Sequence, residues 1–503
     1  MELTESVKRY LLLTAEQLRG ADLRLFMART VCLLGPNGQR RAERELGWNR
    51  GTVREGVHEL NSGIRCFDHF AGRGRKPAEV HLPDLLPDIR ALVDPQSQID
   101  PTFDFTTEER SPLRVRQRDD LYIHEVLRAR VIDGLLVSKA IVDGRAGAAG
   151  KYTLAQRHRL YRAGVRRFFR LDTAPGEPLV TMGDCGAFSY INDDVPPYRP
   201  DEVIDFYDEC GFDFGISIDH IIFGYDPAAR SGADHPHLEK WEARQQLTLD
   251  LAEEFLGKCG SRKVGFTPMA VAQGWSPASY ASAVSALQAI GYPRIALGGM
   301  VPLKTHEILA CLREIDTVRA PQTQLHLLGI TRCSNMGDFA ALGVTSFDST
   351  SAFRQAFKDD RDNYHTPDRT YTAIRVPQVD GNPKLKARIQ AGRVSQDKAI
   401  RLEQACLQAL RAYDSGEVDI GHVIDCLDAY EQIFDGRKDY SRAYREILED
   451  APWKKCPCGI CSRAGINVII FRGSERNKRR GFHNIYAFRQ RIDRELGTTR
   501  SAV

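Results

Sequence analysis

The chain has 503 residues, of which 42% are hydrophobic and 27% charged, and its formal net charge is +3. A chain of this length is too long to fold around one ordinary hydrophobic core, which indicates more than one domain. The net charge is too small to indicate a polyanionic partner by itself. No apolar run reaches membrane-spanning length, the start is too charged for a signal peptide, and twelve cysteines favour a reducing, cytoplasmic setting over a disulfide framework.

Residues 1–70 are predicted to form a helical domain. A glycine turn between two short helices has the size of a helix-turn-helix unit, whose second helix enters the major groove of DNA. On that second helix Arg54 is predicted to face the bases. Because glycine turns also join helices that bind nothing, a plain helical bundle is the alternative. The predicted helices cover 23–34, 39–46 and 51–60.

Residues 71–118 are rich in Gly, Pro and charge and are predicted to be a linker. Over 119–354 short apolar runs alternate with amphipathic helices, which predicts an α/β fold, a (β/α)8 TIM barrel with its active site at the strand ends. The predicted strands are 178–182, 214–218, 264–268, 294–297, 325–328 and 346–347, and the clearest helices are 240–256 and 277–290.

Small or acidic residues follow the predicted barrel strands. Three of them are carboxylates, which suits a reaction with one nucleophile, one proton carrier and one acceptor for a substrate. Taken singly, an aspartate after a strand can also cap the next helix, and a Gly-Gly pair can be a tight turn. The residues are Asp184, Asp219, Gln273, Gly298, Gly299 and Asp348.

The last two segments differ in character. Residues 355–451 are predicted to be a helical insertion without chemistry of its own. Residues 452–503 are predicted to be a strand-rich subdomain around a Cys3His zinc site, with buried free cysteines as the alternative. The basic stretch 472–480 is predicted to be a surface patch that attracts phosphates through Arg476 and Arg479. The proposed ligands are Cys456, Cys458, Cys461 and His483.

Taken in order, these motifs resemble those of the tRNA-guanine transglycosylases, the queuine and archaeosine base-exchange enzymes. The resemblance implies that Asp348 is a nucleophile, that Asp184 is the general acid and base, and that the zinc is structural. It also implies a base pocket formed by Asp219, Gln273, Gly298 and Gly299, with Phe188 and Leu328 against the faces of the base. The matching motifs are Asp184-Cys-Gly-Ala-Phe188, Asp219, Gln273-Gly274, Gly298-Gly299-Met300, Phe347-Asp348-Ser349 and Cys456…His483-Asn484.

The sequence differs from the motifs of the tRNA enzymes at positions that bear on which nucleic acid is the substrate. Cys185 replaces a serine, and the basic stretch after the nucleophile keeps Arg354 but continues Gln-Ala-Phe. The N-terminal helices fit better with the DpdA-like branch, which inserts 7-deazaguanine bases into DNA. We therefore expect a DNA transglycosylase that installs 7-cyano-7-deazaguanine. The alternatives are tRNA base exchange and a non-catalytic nucleic-acid-binding subunit. A second copy of the chain or proteins of a modification system are the further partners expected, with no membrane partner.

Overall fold

The computed structural model describes residues 3–18, 20–62, 98–127, 129–145, 148–229, 235–358, 361–434 and 439–497. The chain divides into two compact units, Met1–His81 and Leu82–Val503. Within the described ranges no helix combines the length and the apolar character that a membrane crossing requires.

The described part of the first unit is helical, as predicted. Helix α2 buries Met27, Val31 and Leu34 against Val53 of α4. A buried ion pair of 2.7 Å between Arg24 and Glu59 also joins these two helices. The helices are α1 (Glu5–Gln17), α2 (Gly20–Leu34), α3 (Gly38–Leu46) and α4 (Arg50–Ser62).

The second unit contains a parallel sheet whose strand order is the chain order. Its inner face buries Ile216, Met269, Val271 and Ala296, which are too few to fill the strand ends. The described ranges contain seven strands of this sheet, whereas the sequence predicted eight. They are β1 (Gly134–Ser138), β2 (Val180–Asp184), β3 (Phe214–Ile216), β4 (Thr267–Ala272), β5 (Arg294–Leu297), β6 (Gln324–Leu327) and β7 (Val344–Phe347).

Helices connect successive strands and cover the outer face of the sheet. The prediction of 277–290 is confirmed to the residue, and that of 240–256 is confirmed within a longer helix. Their apolar residues pack on the sheet in two large clusters. These helices are α5 (Leu154–Phe168), α6 (Pro200–Cys210), α7 (Leu238–Arg262), α8 (Pro277–Ile290), α9 (Thr305–Val318) and α10 (Met336–Ala341). The short helix α11 (Ser351–Gln355) follows the last strand, β7.

The remaining elements share one hydrophobic core, which includes Cys458 and Cys461 as well as residues from 99–131. Short strand pairs join Tyr364–His365 to Thr370–Tyr371 and Ile374–Arg375 to Ile470–Phe471. The helices are α12 (Pro383–Gln390), α13 (Gln396–Ser415), α14 (Ile420–Phe434), α15 (Ser441–Asp450) and α16 (Gly473–Glu495), with four-residue helices at Ile123–Val126, Pro452–Lys455 and Cys461–Ala464. A further four-residue helix, Lys139–Val142, packs instead in the cluster that contains β1 and α5 residues.

The prediction of a strand-rich tail is wrong. The described part of 452–503 contains only one strand, the two-residue Ile470–Phe471. The longest element of the described tail is the 23-residue helix α16, which buries a broad face including Phe482, His483 and Asn484. Charged residues occupy part of that buried face, so the apolar period that would have revealed the helix is interrupted.

Candidate active site at the strand ends

One cavity of about 150 Å³ opens where the parallel strands end. Its walls include residues of β1 and residues that follow β7, so the sheet curls until its first and last strands meet the same space. Parallel strands direct their carboxyl ends to one side, which explains why residues far apart in sequence converge. All eight residues predicted for catalysis and base binding line it: Asp184, Phe188, Asp219, Gln273, Gly298, Gly299, Leu328 and Asp348.

Asp184 ends strand β2 and has an unusual proton affinity. Burial raises the pKa of its carboxyl group to about 7, and the charges of Asp219 and Asp348 contribute to the increase. The turn that follows requires glycine, because Gly186 has a φ of +87° and a Cβ atom there would lie 2.3 Å from the Ser138 hydroxyl. A carboxyl group with a pKa near 7 can both donate and accept a proton at neutral pH.

Asp219 is almost completely buried and is held by two side chains. Burial raises the pKa of its carboxyl group to about 6, although hydrogen bonds from Gln273 and Cys185 oppose that increase. Gln273 Nε2 donates to Asp219 Oδ2 at 2.7 Å, and the Cys185 thiol donates to Oδ1 at 3.4 Å. The structure thus places a carboxylate and an amide side by side in the cavity wall, which suits recognition of a polar base edge.

The Gly298-Gly299 pair allows the backbone to pass close to these groups. A Cβ atom on Gly298 would lie 2.2 Å from Gln273 Nε2. Gly299 has a φ of +73°, and a Cβ atom there would lie 2.5 Å from the Ile222 carbonyl oxygen. Any larger residue would therefore displace Gln273 or the Ile222 backbone, so the cavity depends on both glycines.

Asp348 follows strand β7 and retains some solvent exposure, with 21% of its side chain accessible. Its Oδ1 atom accepts a hydrogen bond of 2.8 Å from the Gly329 backbone N–H. The imidazole Nε2 atom of His326 lies 3.4 Å from the same oxygen. No sequence motif indicated His326, because it occupies an interior position of a predicted strand.

The four predicted metal ligands form one cluster whose ligand atoms all lie within 4.8 Å of one another. His483 Nδ1 lies 3.6, 3.5 and 3.3 Å from the sulfurs of Cys456, Cys458 and Cys461. Ligands at ordinary zinc distances in a tetrahedron have nitrogen–sulfur separations of about 3.5 Å, so this donor set fits such an ion. His483 Nε2 donates to the His365 carbonyl oxygen at 2.6 Å, which directs Nδ1 to the cluster.

The prediction of a basic surface patch at 472–480 is wrong, because four arginines of this stretch are buried. Arg476 pairs with Glu108 and donates to the Phe105 carbonyl oxygen at 2.6 Å. Arg479 pairs with Glu475 at 2.9 Å and donates to the backbone at Asp100. Neither guanidinium is therefore available to nucleic acid. The buried residues are Arg472, Arg476, Arg479 and Arg480.

The contacts of Arg472, Arg476 and Arg479 also involve residues 98–118, the described part of the predicted linker. We name the ion pairs of Arg472, Arg476 and Arg479 with Glu108 and Glu475 the arginine junction. It fixes the described residues 98–118 on helix α16, with Arg472 bonded to both oxygens of Glu108 at 2.7 and 2.8 Å. Residues 71–97 lie outside the described part of the chain.

The other two predicted nucleic-acid residues have different surroundings. Arg54 is exposed on α4 of the first unit, while Val53 beside it is buried. Arg354 is half-buried on α11, the short helix that follows Asp348.

A curled parallel sheet with carboxylates gathered at its strand ends and a Cys3His cluster beyond them defines a transglycosylase of the tRNA-guanine transglycosylase superfamily. No family model matches the chain. The chain is 50% identical over 407 residues to the DNA-guanine transglycosylase of Salmonella montevideo, an alignment that covers 80% of this chain and 96% of that protein. The chain belongs to the DNA-guanine transglycosylases.

Proposed function

We propose that this protein exchanges guanine in DNA for 7-cyano-7-deazaguanine through a covalent intermediate on Asp348. The observation that carries the proposal is the convergence of Asp184, Asp219 and Asp348 on one cavity. The choice of DNA follows the relative that shares half of the aligned residues. The identity of the incoming base follows the resemblance to the DpdA-like branch, which inserts 7-deazaguanines and which the N-terminal helices fit better than they fit the tRNA enzymes.

In the first half of the reaction, a carboxylate oxygen of Asp348 attacks the C1′ atom of the deoxyguanosine. The bond between C1′ and guanine breaks as the new C–O bond forms, and its electron pair leaves with the base. Asp184 supplies the proton that the departing guanine needs, because its raised pKa keeps a proton on the carboxyl group near neutral pH.

In the second half, Asp184 takes the proton from the incoming base, whose nitrogen attacks C1′ and releases Asp348 from the ester. The exchange balances base for base and proton for proton, so it consumes no oxidant and no energy source. Because the cavity is narrow, an occupying base excludes the water that would otherwise hydrolyse the ester.

Recognition of the base is assigned to the deep end of the cavity. Asp219 accepts from the donors of the guanine-like edge, while Gln273 and the Gly299 N–H contact its remaining polar atoms. Phe188 and Leu328 cover its faces. The hydrogen bond between Gln273 and Asp219 supports this assignment, since it aligns the two side chains before a base enters.

A base inside duplex DNA must leave the stack to reach this cavity, which costs roughly a few kcal/mol. We propose that helices α2, α3 and α4 bind the duplex as a helix-turn-helix, with Arg54 directed to the bases, and that Arg354 contacts the backbone near the nucleophile. The exposure of Arg54 supports this role.

Zinc is the proposed metal of the Cys3His cluster, held by four protein ligands and therefore structural. The cluster lies in the core that α16 shares with α11 and the insertion helices. We also propose that the parallel sheet belongs to a (β/α)8 barrel.

The nucleoside composition of DNA and tRNA tests the function. Cells that express the chain with a supply of 7-cyano-7-deazaguanine are expected to contain the modified deoxynucleoside in DNA and none in tRNA. Cells that express Asp348→Asn at the same level serve as the control and are expected to contain neither. Modified tRNA with unmodified DNA would instead establish the RNA reaction.

A further inference from the structure

His326 lies next to Asp348, the proposed nucleophile, and belongs to none of the motifs that identify the family. It is in strand β6, with only 3% of its surface exposed. Its Nδ1 atom lies 2.8 Å from the Ser346 hydroxyl, and its Nε2 atom lies 3.4 Å from Asp348 Oδ1. Nε2 is buried and has no hydrogen-bond partner among the described residues, so the Asp348 carboxylate is the polar group it faces.

The contacts recorded on Asp348 fall on one oxygen. Oδ1 accepts from the Gly329 N–H at 2.8 Å and faces His326 Nε2. Gly329 can present its N–H there because its φ is +71°, a conformation that favours glycine. Two neighbouring groups therefore hold Oδ1, while Oδ2 carries no recorded contact within the described ranges and shares the cavity that Asp348 lines.

The charge of the nucleophile determines which imidazole nitrogen carries the proton. The Ser346 hydroxyl can donate to Nδ1 or accept from it, so Ser346 permits either tautomer. An ionised Asp348 favours the tautomer with a proton on Nε2, because the other one directs a lone pair at an anionic oxygen. In the favoured tautomer Ser346 donates to Nδ1, and the protonated Nε2 atom of His326 faces Asp348 Oδ1 at 3.4 Å.

We propose that His326 is a positioning residue that, together with the Gly329 N–H, holds Asp348 Oδ1 so that Oδ2 is the oxygen that attacks C1′. This inference rests on the proposed function. As the Oδ2–C1′ bond forms, the C1′–guanine bond breaks and the guanine leaves with the proton from Asp184. Oδ1 becomes the carbonyl oxygen of the ester and keeps its hydrogen bond from the Gly329 N–H and its contact with His326 Nε2. His326 itself gains and loses no proton.

Two substitutions separate this role from a purely structural one. In His326→Gln the amide nitrogen reaches the position of Nε2 and can still donate to Asp348. In His326→Asn the shorter side chain reaches only the position of Nδ1, so it can contact Ser346 but not Asp348. The two variants are similarly polar, but only glutamine restores the donor to the nucleophile.

The measurement is the single-turnover rate of covalent adduct formation with a guanine-containing DNA duplex, together with the DNA dissociation constant and the midpoint of thermal unfolding. His326→Asn is expected to form the adduct about 10- to 100-fold more slowly than wild type, and His326→Gln only a few-fold more slowly, at unchanged DNA affinity. Equal losses in both variants, or a wild-type rate in His326→Asn, would overturn the inference.

If neither variant folds, Ser346→Ala tests whether His326 positions Asp348. It removes the hydroxyl that holds the imidazole ring at Nδ1, so the ring no longer keeps Nε2 against Asp348 and adduct formation is expected to slow, whereas Ser346→Thr retains the hydroxyl and the rate. An unchanged rate in Ser346→Ala would then overturn the inference. Failure of the proposed function is distinguishable, because the wild-type protein itself would form no adduct with DNA.

Discussion

The cavity and the arginine junction both contain buried carboxylates, but their neighbours differ. In the junction Glu108 is bonded to Arg472 and pairs with Arg476, and although partial burial raises the pKa of its carboxyl group, the hydrogen bonds from Arg472 and Gln378 lower it to about 2. In the cavity, none of the ion pairs recorded among the described residues joins a lysine or arginine to Asp184, Asp219 or Asp348.

This difference separates charges that stabilise the fold from charges kept for chemistry. A buried carboxylate beside a guanidinium remains ionised and contributes a fixed contact. A buried carboxylate without a cation has a raised pKa, as Asp184 and Asp219 do, and it can exchange protons near neutral pH. Substitutions in the two regions should therefore have opposite consequences for activity and for the free energy of unfolding.

The largest expected effect is on the chemistry of the cavity. Asp348→Asn should reduce the rate of covalent adduct formation by about 10⁴-fold or more, because the amide is not a nucleophile. Its thermal stability should stay close to that of wild type, since no arginine or lysine loses a partner. Denaturing electrophoresis of enzyme mixed with labelled DNA measures the adduct, and Asp338→Asn on the exposed face of α10 is the matched control. An adduct in Asp348→Asn would exclude this residue as the nucleophile.

The junction should behave in the opposite way. Glu108→Gln removes the carboxylate partner of buried Arg476, which should lower the free energy of unfolding by about 3 kcal/mol, while the folded protein forms the adduct at the wild-type rate. Denaturant unfolding measures the loss. The neighbouring exposed residue provides the control Glu109→Gln, which should change stability very little. A loss of adduct formation at full stability in Glu108→Gln would contradict the distinction between the two regions.

A smaller effect concerns pH. The carboxyl pKa of Asp184 is raised from 3.8 to about 7, so the folded chain binds this proton more tightly than the unfolded chain and loses stability as the pH rises through that interval. Asp184→Asn should therefore be more stable than wild type at pH 8, by about 1 kcal/mol or more, and equal to it near pH 4.

The same proton is needed for guanine departure. In the wild-type enzyme, adduct formation should consequently slow about tenfold per pH unit above pH 7. Time courses of adduct formation, quenched at intervals and run from pH 5 to 9, measure the pH dependence of the rate. DNA binding is measured in parallel to separate affinity from chemistry. A rate that is constant up to pH 9 would contradict the role of Asp184 as the proton donor.

Much of the second unit was predictable because its elements obey local rules. Helix 277–290 begins at a serine cap followed by proline and ends at a glycine with φ of +117°, and all three signals are visible in the sequence. The strand predicted at 264–268 lies at Thr267–Ala272 in the structure. The buried run there is continuous, so nothing in the sequence marked where the strand begins and ends. Tail helix α16 was missed because its buried face is largely polar.

The cavity residues were predictable for a different reason. Each lies at the end of a strand or within a few residues after it, and the parallel order brings those positions together whatever the intervening helices contain. His326 was not predictable, because its contact with Asp348 depends on the register between β6 and β7, where His326 pairs with Ser346 beside an irregularity.

The sequence by itself determined the alternation of strands and helices over residues 178–347, the carboxylates at the strand ends and the Cys3His ligand set, because these depend on local periodicity and on spacing along the chain. Only the tertiary structure decided which charges are buried and with which partners. Arg472 and Glu108 are 364 positions apart, and no local pattern in either segment indicates that they meet. Burial and pairing are properties of distant segments packed together, and they determine whether a charge supports the fold or remains free for chemistry.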